Sequence, residues 1–222
     1  MKLKLLLFAF MLMPLSLSAQ EADWAMTQAY YEANKNIAVR PKAVLLGDSI
    51  HQFWHDQHPE FFTENNLAGR GIAGQTTTQI LCRMREDVVN LRPEYVVILA
   101  GINDIALNEG HAANVRVAAG HIKSMCEIAK ANGIRPLICA MLPAHAANWR
   151  PEVTDVAEKV VELNSMLKEY AEANNIGYVD YYTLFADENN RMPVVYSEDS
   201  IHPTMEGYRL MEEYLLKFMV FR

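Results

Sequence analysis

Four apolar runs of strand length, AVLL (43–46), YVVILA (95–100), PLICAM (136–141) and GYVDYY (177–182), recur along this 222-residue chain, and long stretches with helical spacing separate them. Strands that alternate with helices cannot close as hairpins, so the pattern predicts a parallel sheet covered by helices. It also locates the chemistry. In open α/β sheets functional groups sit on loops at the carboxyl ends of the strands, here the residues that follow each apolar run.

The intervening segments read as amphipathic helices. Over 76–90, Ile80, Met84 and Val88 recur every four positions, Thr76 with Gln79 forms a capping-box start, and Pro93 closes the segment. Over 151–174, Val156, Val160, Leu163, Leu167 and Tyr170 make one inward stripe. A last helix starts at Thr204 as N-cap, with Tyr208, Met211, Leu215 and Phe218 inward. These stripes are core packing, not a cofactor box.

Residues 1–20, MKLKLLLFAFMLMPLSLSAQ, have the layout of a secretory signal peptide: two lysines, an apolar run from Leu5 to Met13, then Pro14 and small polar residues. The run is well short of the roughly 20 residues that span a bilayer, and no cysteine follows it, so a stable membrane anchor is not expected. The expectation is a single domain over 21–222 in a secreted or periplasmic protein. Loss of Lys2 and Lys4 moves the formal charge from −7 to −9 and leaves no basic stripe, which excludes nucleic acid as a partner. Cys82, Cys126 and Cys139 allow at most one internal disulfide and form no C-x-x-C pair; on two helices and a strand they read as small buried thiols.

GRGIAG (69–74) fits the letters of a dinucleotide-binding loop, but its context does not. FFTENNLA is too polar for the buried strand that should precede the first glycine, apart from its last residues, and Glu94 stands before the next strand instead of after it. No cofactor is expected. His51 and His55 are four apart in HQFWHDQH, yet HEXXH and a third ligand are missing. These histidines, with His58, read as surface or aromatic-packed groups and no metal is expected. Phe53, Trp54, Phe61 and Phe62 serve either the core or the wall of a pocket.

Four short blocks remain. GDSI puts Ser49 after the first strand, where its simplest role is that of a helix N-cap. GIAGQTT puts Gly74 before a helix, GIND brings Asn103 off a strand, and DSIHP sets Asp199 three residues before His202. A serine hydroxyl is a weak nucleophile until an imidazole takes its proton, and the imidazole needs a carboxylate on its other nitrogen. Acyl transfer also develops a negative oxygen that fixed donors must meet. The N–H groups of Ser49 and Gly74 and the amide of Asn103 are candidates, and Gly71 and Gly74 would let the backbone turn tightly beside the serine.

The ordered blocks resemble the four signature blocks of the SGNH (GDSL-like) hydrolase superfamily, in particular the branch of the platelet-activating-factor acetylhydrolase catalytic subunits. The resemblance spans Ala43 to Tyr208. It implies a three-layer α/β/α fold of flavodoxin-like type with a central parallel sheet of about five strands. It further implies Ser49 as nucleophile, Asp199 and His202 as its partners, and Ser49, Gly74 and Asn103 as the oxyanion hole. Ile50 replaces the usual leucine and Gln75 an aspartate, without loss of a catalytic group; Asp104 reads as a structural hydrogen-bond partner. The rival elbow G-x-S-x-G is excluded by His51 at its last position.

Candidate substrate contacts are Asp48, Trp149 and His145, with Arg150 beside the tryptophan in PAHAANWRPEV. The expected activity is a serine esterase that removes short acyl groups, O-acetyl on carbohydrate foremost, from a small acylated substrate. The alternatives are a lysophospholipase or thioesterase and, from another class, a silent glycan-binding module, against which the intact set of five groups argues. A homodimer is expected from the resemblance alone.

Overall fold

Strands β1 (Ala43–Gly47), β2 (Leu67–Gly71), β3 (Tyr95–Leu99), β4 (Arg135–Cys139) and β5 (Gly177–Val179) form one sheet in the order β2-β1-β3-β4-β5. Every pair is parallel, with Ala43 opposite both Leu67 and Tyr95. This computed structural model describes residues 23–108 and 114–219, so the leader expected at 1–20 lies outside the described residues.

The helices are α1 (Tyr31–Lys35), α2 (Ser49–Gln57), α3 (Pro59–Glu64), α4 (Thr77–Cys82), α5 (Ile102–Ile105), α6 (Val115–Ala131), α7 (Val156–Ala173), α8 (Tyr181–Phe185) and α9 (Met205–Leu216). Helix α2 packs on α3 and α9, while α4, α6 and α7 pack in succession on one another, which makes the three-layer α/β/α arrangement. Strands β1 and β3 are buried along their whole length, because both faces are covered. Burying an aliphatic side chain such as Leu45 or Ile98 contributes about 1.5–3 kcal/mol, and these two strands hold a large share of the core.

Several expectations need correction. FFTENNLA, too polar for a buried strand apart from its last residues, runs into the edge strand β2, LAGRG, which the apolar runs did not include: its glycines leave room for α2, since a Cβ on Gly69 would lie 2.8 Å from the His55 ring. GYVDYY is a strand only to Val179, because Asp180 accepts the Thr183 N–H and starts α8. The helix over 76–90 carries its capping box at Thr76 and Gln79 but breaks at Arg83 into a π-helical turn, Arg85–Val89. Its inward residues Ile80, Met84 and Val88 are buried as expected. Helix α7 begins at Val156, five residues after Pro151, and Phe218 falls beyond the end of α9. Of the cysteines, Cys126 and Cys139 are buried and Cys82 is exposed; all three are free.

The strand order reverses at β1, which lies between β2 and β3 although β2 follows it in sequence. A crevice opens outside the carboxyl ends of the strands at such a switch point.

Candidate active site

Ser49 is the first residue of α2, directly beyond β1. Its Oγ is 2.9 Å from His202 Nε2, and His202 Nδ1 is 2.6 Å from Asp199 Oδ2. An Nδ1–H that donates to the carboxylate leaves Nε2 as the acceptor facing the serine hydroxyl. The three side chains therefore form one continuous line.

The turn that carries Asp199 and His202 is tightly built. Asp199 Oδ1 accepts from the N–H groups of Ile201 (2.9 Å) and His202 (2.8 Å) and from the Ser197 hydroxyl (3.2 Å). Ser200 between them has φ +68°, a left-handed conformation, and donates its hydroxyl to Ala146 O at 3.2 Å. Burial works to raise the Asp199 carboxyl, but hydrogen bonds from the His202 ring and from the two backbone N–H groups outweigh it and hold the group below its ordinary value. It stays a carboxylate.

Gly74 and Asn103 meet at the neighbouring loops. Gly74 has φ +78°, which glycine adopts without strain, and Asn103 lies in α5 just beyond β3. Asn103 Nδ2 donates to Gln75 O at 3.1 Å, so the two loops are joined. Gly71 also earns its place: a Cβ there would stand 2.2 Å from Gln52 N and 2.6 Å from Asp48 O, the first turn of α2. Asp104 accepts from the Thr77 N–H (2.9 Å) and hydroxyl (2.6 Å), the structural role expected of it. That hydroxyl also lies 2.9 Å from His121 Nδ1; with its proton committed to Asp104, the imidazole must be the donor.

Asp48, expected among the substrate contacts, is wholly buried: it caps α2 by accepting the Ile50 N–H at 3.0 Å and lies beneath the site. His51 is also fully buried, with its ring 6.0 Å from that of Trp54, so it is aromatic-packed and not a surface group; burial holds it down at about 4, the Leu46 backbone pulling the other way. His58 pairs with Glu212 at 2.7 Å, and His55 packs edge-on against Phe62. Among the described residues no three His, Cys, Asp or Glu side chains gather as a metal site would require.

The aromatic residues divide between the two roles. Trp54, Phe61 and Phe62 are core, whereas the Phe53 ring lies 5.0 Å from that of His202 and flanks the site. Trp149 is 43% exposed at the catalytic end of the sheet. A cavity of about 430 Å³ opens beside Asp199, lined among others by His145, Asn148, Arg191 and Val194. Burial, and then the nearby Arg191 charge, lowers the His145 imidazole.

Two residues were not singled out from sequence. Arg83 is fully buried and donates to Gly47 O and Arg70 O at 3.2 Å and to Gln75 Oε1 at 2.8 Å, tying the ends of β1 and β2 to the glycine loop. Asn108, beyond α5, contacts both Gly74 and Asn103. Arginine in an otherwise helical pattern and asparagine in a loop carry no local signal of such roles.

Known proteins resemble this chain over most of its length. Residues 45–210 match the model of the GDSL-like lipase/acylhydrolase family. The chain is 41% identical to a GDSL-like lipase from Bacteroides thetaiotaomicron, whose crystal structure aligns with a TM-score of 0.84 over 88% of this chain and 97% of that one. A crystal structure from Bacteroides fragilis, 42% identical, aligns with a TM-score of 0.86 over 90% and 98%. An acetylxylan esterase of Geobacillus stearothermophilus is 24% identical over 162 residues, 68% of this chain and 70% of that protein.

Proposed function

Because the chain belongs to the GDSL-like lipase/acylhydrolase family of the SGNH superfamily, and is therefore an ester-hydrolysing enzyme, we propose that it works through Ser49 and removes short acyl groups, O-acetyl foremost, from carbohydrate. The observation that carries the reading is the unbroken line from Ser49 Oγ through the His202 imidazole to Asp199.

In this mechanism His202 Nε2 takes the hydroxyl proton as Ser49 Oγ bonds to the ester carbonyl carbon. The carbonyl oxygen becomes an oxyanion, met by the N–H groups of Ser49 and Gly74 and the Asn103 amide. Collapse breaks the bond to the sugar oxygen, which leaves with the proton from His202, and the acyl group stays on Ser49. Water then repeats the sequence with His202 as base, releasing the carboxylic acid and free serine. Asp199 holds the imidazole tautomer and balances its transient positive charge.

The carbohydrate part draws support from the similarity to an acetylxylan esterase and from the rim, where exposed Trp149 and the cavity containing His145 offer an apolar platform and polar groups to a sugar. The protein acts as a single domain over 21–222, secreted or periplasmic after loss of the leader at 1–20.

The test is hydrolysis of p-nitrophenyl esters of two, four and eight carbons by the mature protein, with Ser49→Ala alongside. Serine-dependent turnover fastest on acetate is expected. Preference for the longest chain would redirect the reading to lipid or thioester substrates, and no turnover above the Ser49→Ala background would overturn the assignment of the nucleophile.

A further inference from the structure

We propose that Asn108 is a positioning residue that sets the orientation of the Asn103 amide and restrains the glycine loop through the Gly74 carbonyl, and that the indole N–H of Trp149 sets Asn108 in turn. The inference rests on the oxyanion roles assigned above to Asn103 and Gly74.

The two side chains differ in what their polar groups can do. An indole N–H can only donate, whereas an asparagine amide can face a partner with either end. Trp149 Nε1 is 3.0 Å from Asn108 Oδ1, so the Asn108 oxygen must point at the indole and its nitrogen away from it. That nitrogen has two protons and two acceptors, Asn103 Oδ1 at 2.8 Å and Gly74 O at 3.1 Å.

The same logic carries one step further. With its oxygen taken by Asn108, Asn103 must present its nitrogen to Gln75 O at 3.1 Å. One of the two amide protons is used there and the other is left for an oxyanion. A flipped Asn103 would set its oxygen against the Gln75 carbonyl and its nitrogen against the Asn108 donor. The polarity of the hole is thus inherited, bond by bond, from an exposed tryptophan. The corner is clamped from the same loop: Arg150 donates to Leu107 O at 3.1 Å, and Leu107 is held at φ +55°. The contacts that begin and anchor the chain are not local in sequence: 41 residues separate Trp149 from Asn108 and 34 separate Asn108 from Gly74.

The test uses p-nitrophenyl acetate, which is too small to need a sugar platform. Asn108→Leu keeps the side-chain size and removes both ends of the amide; Trp149→Phe keeps an aromatic ring at the position but removes the pyrrole half of the indole with its N–H. We expect kcat to fall about tenfold or more in Asn108→Leu and several-fold in Trp149→Phe, with KM within about twofold in both, because a misaligned donor weakens the transition state alone. The double variant should be no slower than Asn108→Leu, since the two act through one chain. Wild-type kcat in Trp149→Phe, or losses that multiply in the double variant, would overturn the proposal. Asn103→Asp separates the two levels. If that variant retains full activity, the oxyanion assignment itself fails; if it is impaired while Trp149→Phe is not, only the positioning chain fails. Trp149→Phe decides the matter by itself should Asn108→Leu not fold.

Discussion

The Arg83 guanidinium and the Asp87 carboxylate, four residues apart, form an ion pair with essentially no exposure of either side chain. The guanidinium simultaneously gathers the Gly47 and Arg70 carbonyls and the Gln75 side chain, so a charge pair in the core holds the strand ends from which the site is built. Breaking such a pair strands a buried charge. Asp87→Ala is expected to lose about 3–5 kcal/mol of stability, read from the urea midpoint, whereas Arg83→Met with Asp87→Leu together should lose far less. Equal losses in the two proteins would refute the account.

Asp199→Asn should lower kcat by about three to four orders of magnitude with little change in fold. The Asn amide would donate to His202 Nδ1, moving the imidazole proton to Nε2, where it faces Ser49 and blocks proton abstraction. The check is steady-state kinetics on p-nitrophenyl acetate beside a thermal melt.

Asn103→Asp should cost about 10²–10³ in kcat, because a carboxylate would face the developing oxyanion in place of a donor. Circular dichroism should be unchanged; full activity would exclude Asn103 from the hole.

Burial pushes the Asp48 carboxyl from 3.8 up to about 7, the Ile50 N–H pulling the other way and the Asp104 charge adding to the rise. A raised carboxyl contributes stability that is fully present below its unfolded value and lost as pH rises through about 7. His51, held at about 4, works with the opposite sign: its contribution is lost as pH falls from the ordinary imidazole value of 6.5. The two windows overlap, so the whole-protein curve hides both. The difference between Asp48→Asn and wild type isolates the first, since Asn Oδ1 can still cap Ile50. That difference in urea midpoint should move in the variant's favour between pH 4 and pH 8, and a flat difference would count against a protonated Asp48.

Gly71→Ala adds one methyl group against backbone atoms of Gln52 and Asp48, which cannot rotate away. A loss of about 1–3 kcal/mol is expected, with a fall in activity because the displaced turn carries Ser49. Unchanged stability would show that β2 and α2 can part freely.

The alternation of apolar runs made the parallel sheet legible, and the four blocks made the site legible, because each is a short local stretch delivered by a strand end. Strand β2 was not legible. Its Gly-Arg-Gly core is buried by what packs on it, and that neighbour is Gln52 and His55 of another element. Asp48 was misjudged for a related reason: an aspartate beside a nucleophile reads alike as contact or cap, and only its burial decides. The Trp149 to Asn108 contact joins loops after different strands and leaves no periodic trace. Residues that face another segment of the chain take their meaning from that segment.

Ser49 and His202, the proposed nucleophile and base, are 153 residues apart in sequence, and Asp199 sits beside His202 in the last turn before α9. A chain synthesised only as far as Ala186 therefore holds Ser49, Gly74 and Asn103 but neither His202, which faces the serine hydroxyl, nor Asp199. While it is still emerging from the ribosome, such a chain lacks the proposed base and acid. On the proposed mechanism, activity is in effect a report that the chain has been made as far as the turn before α9.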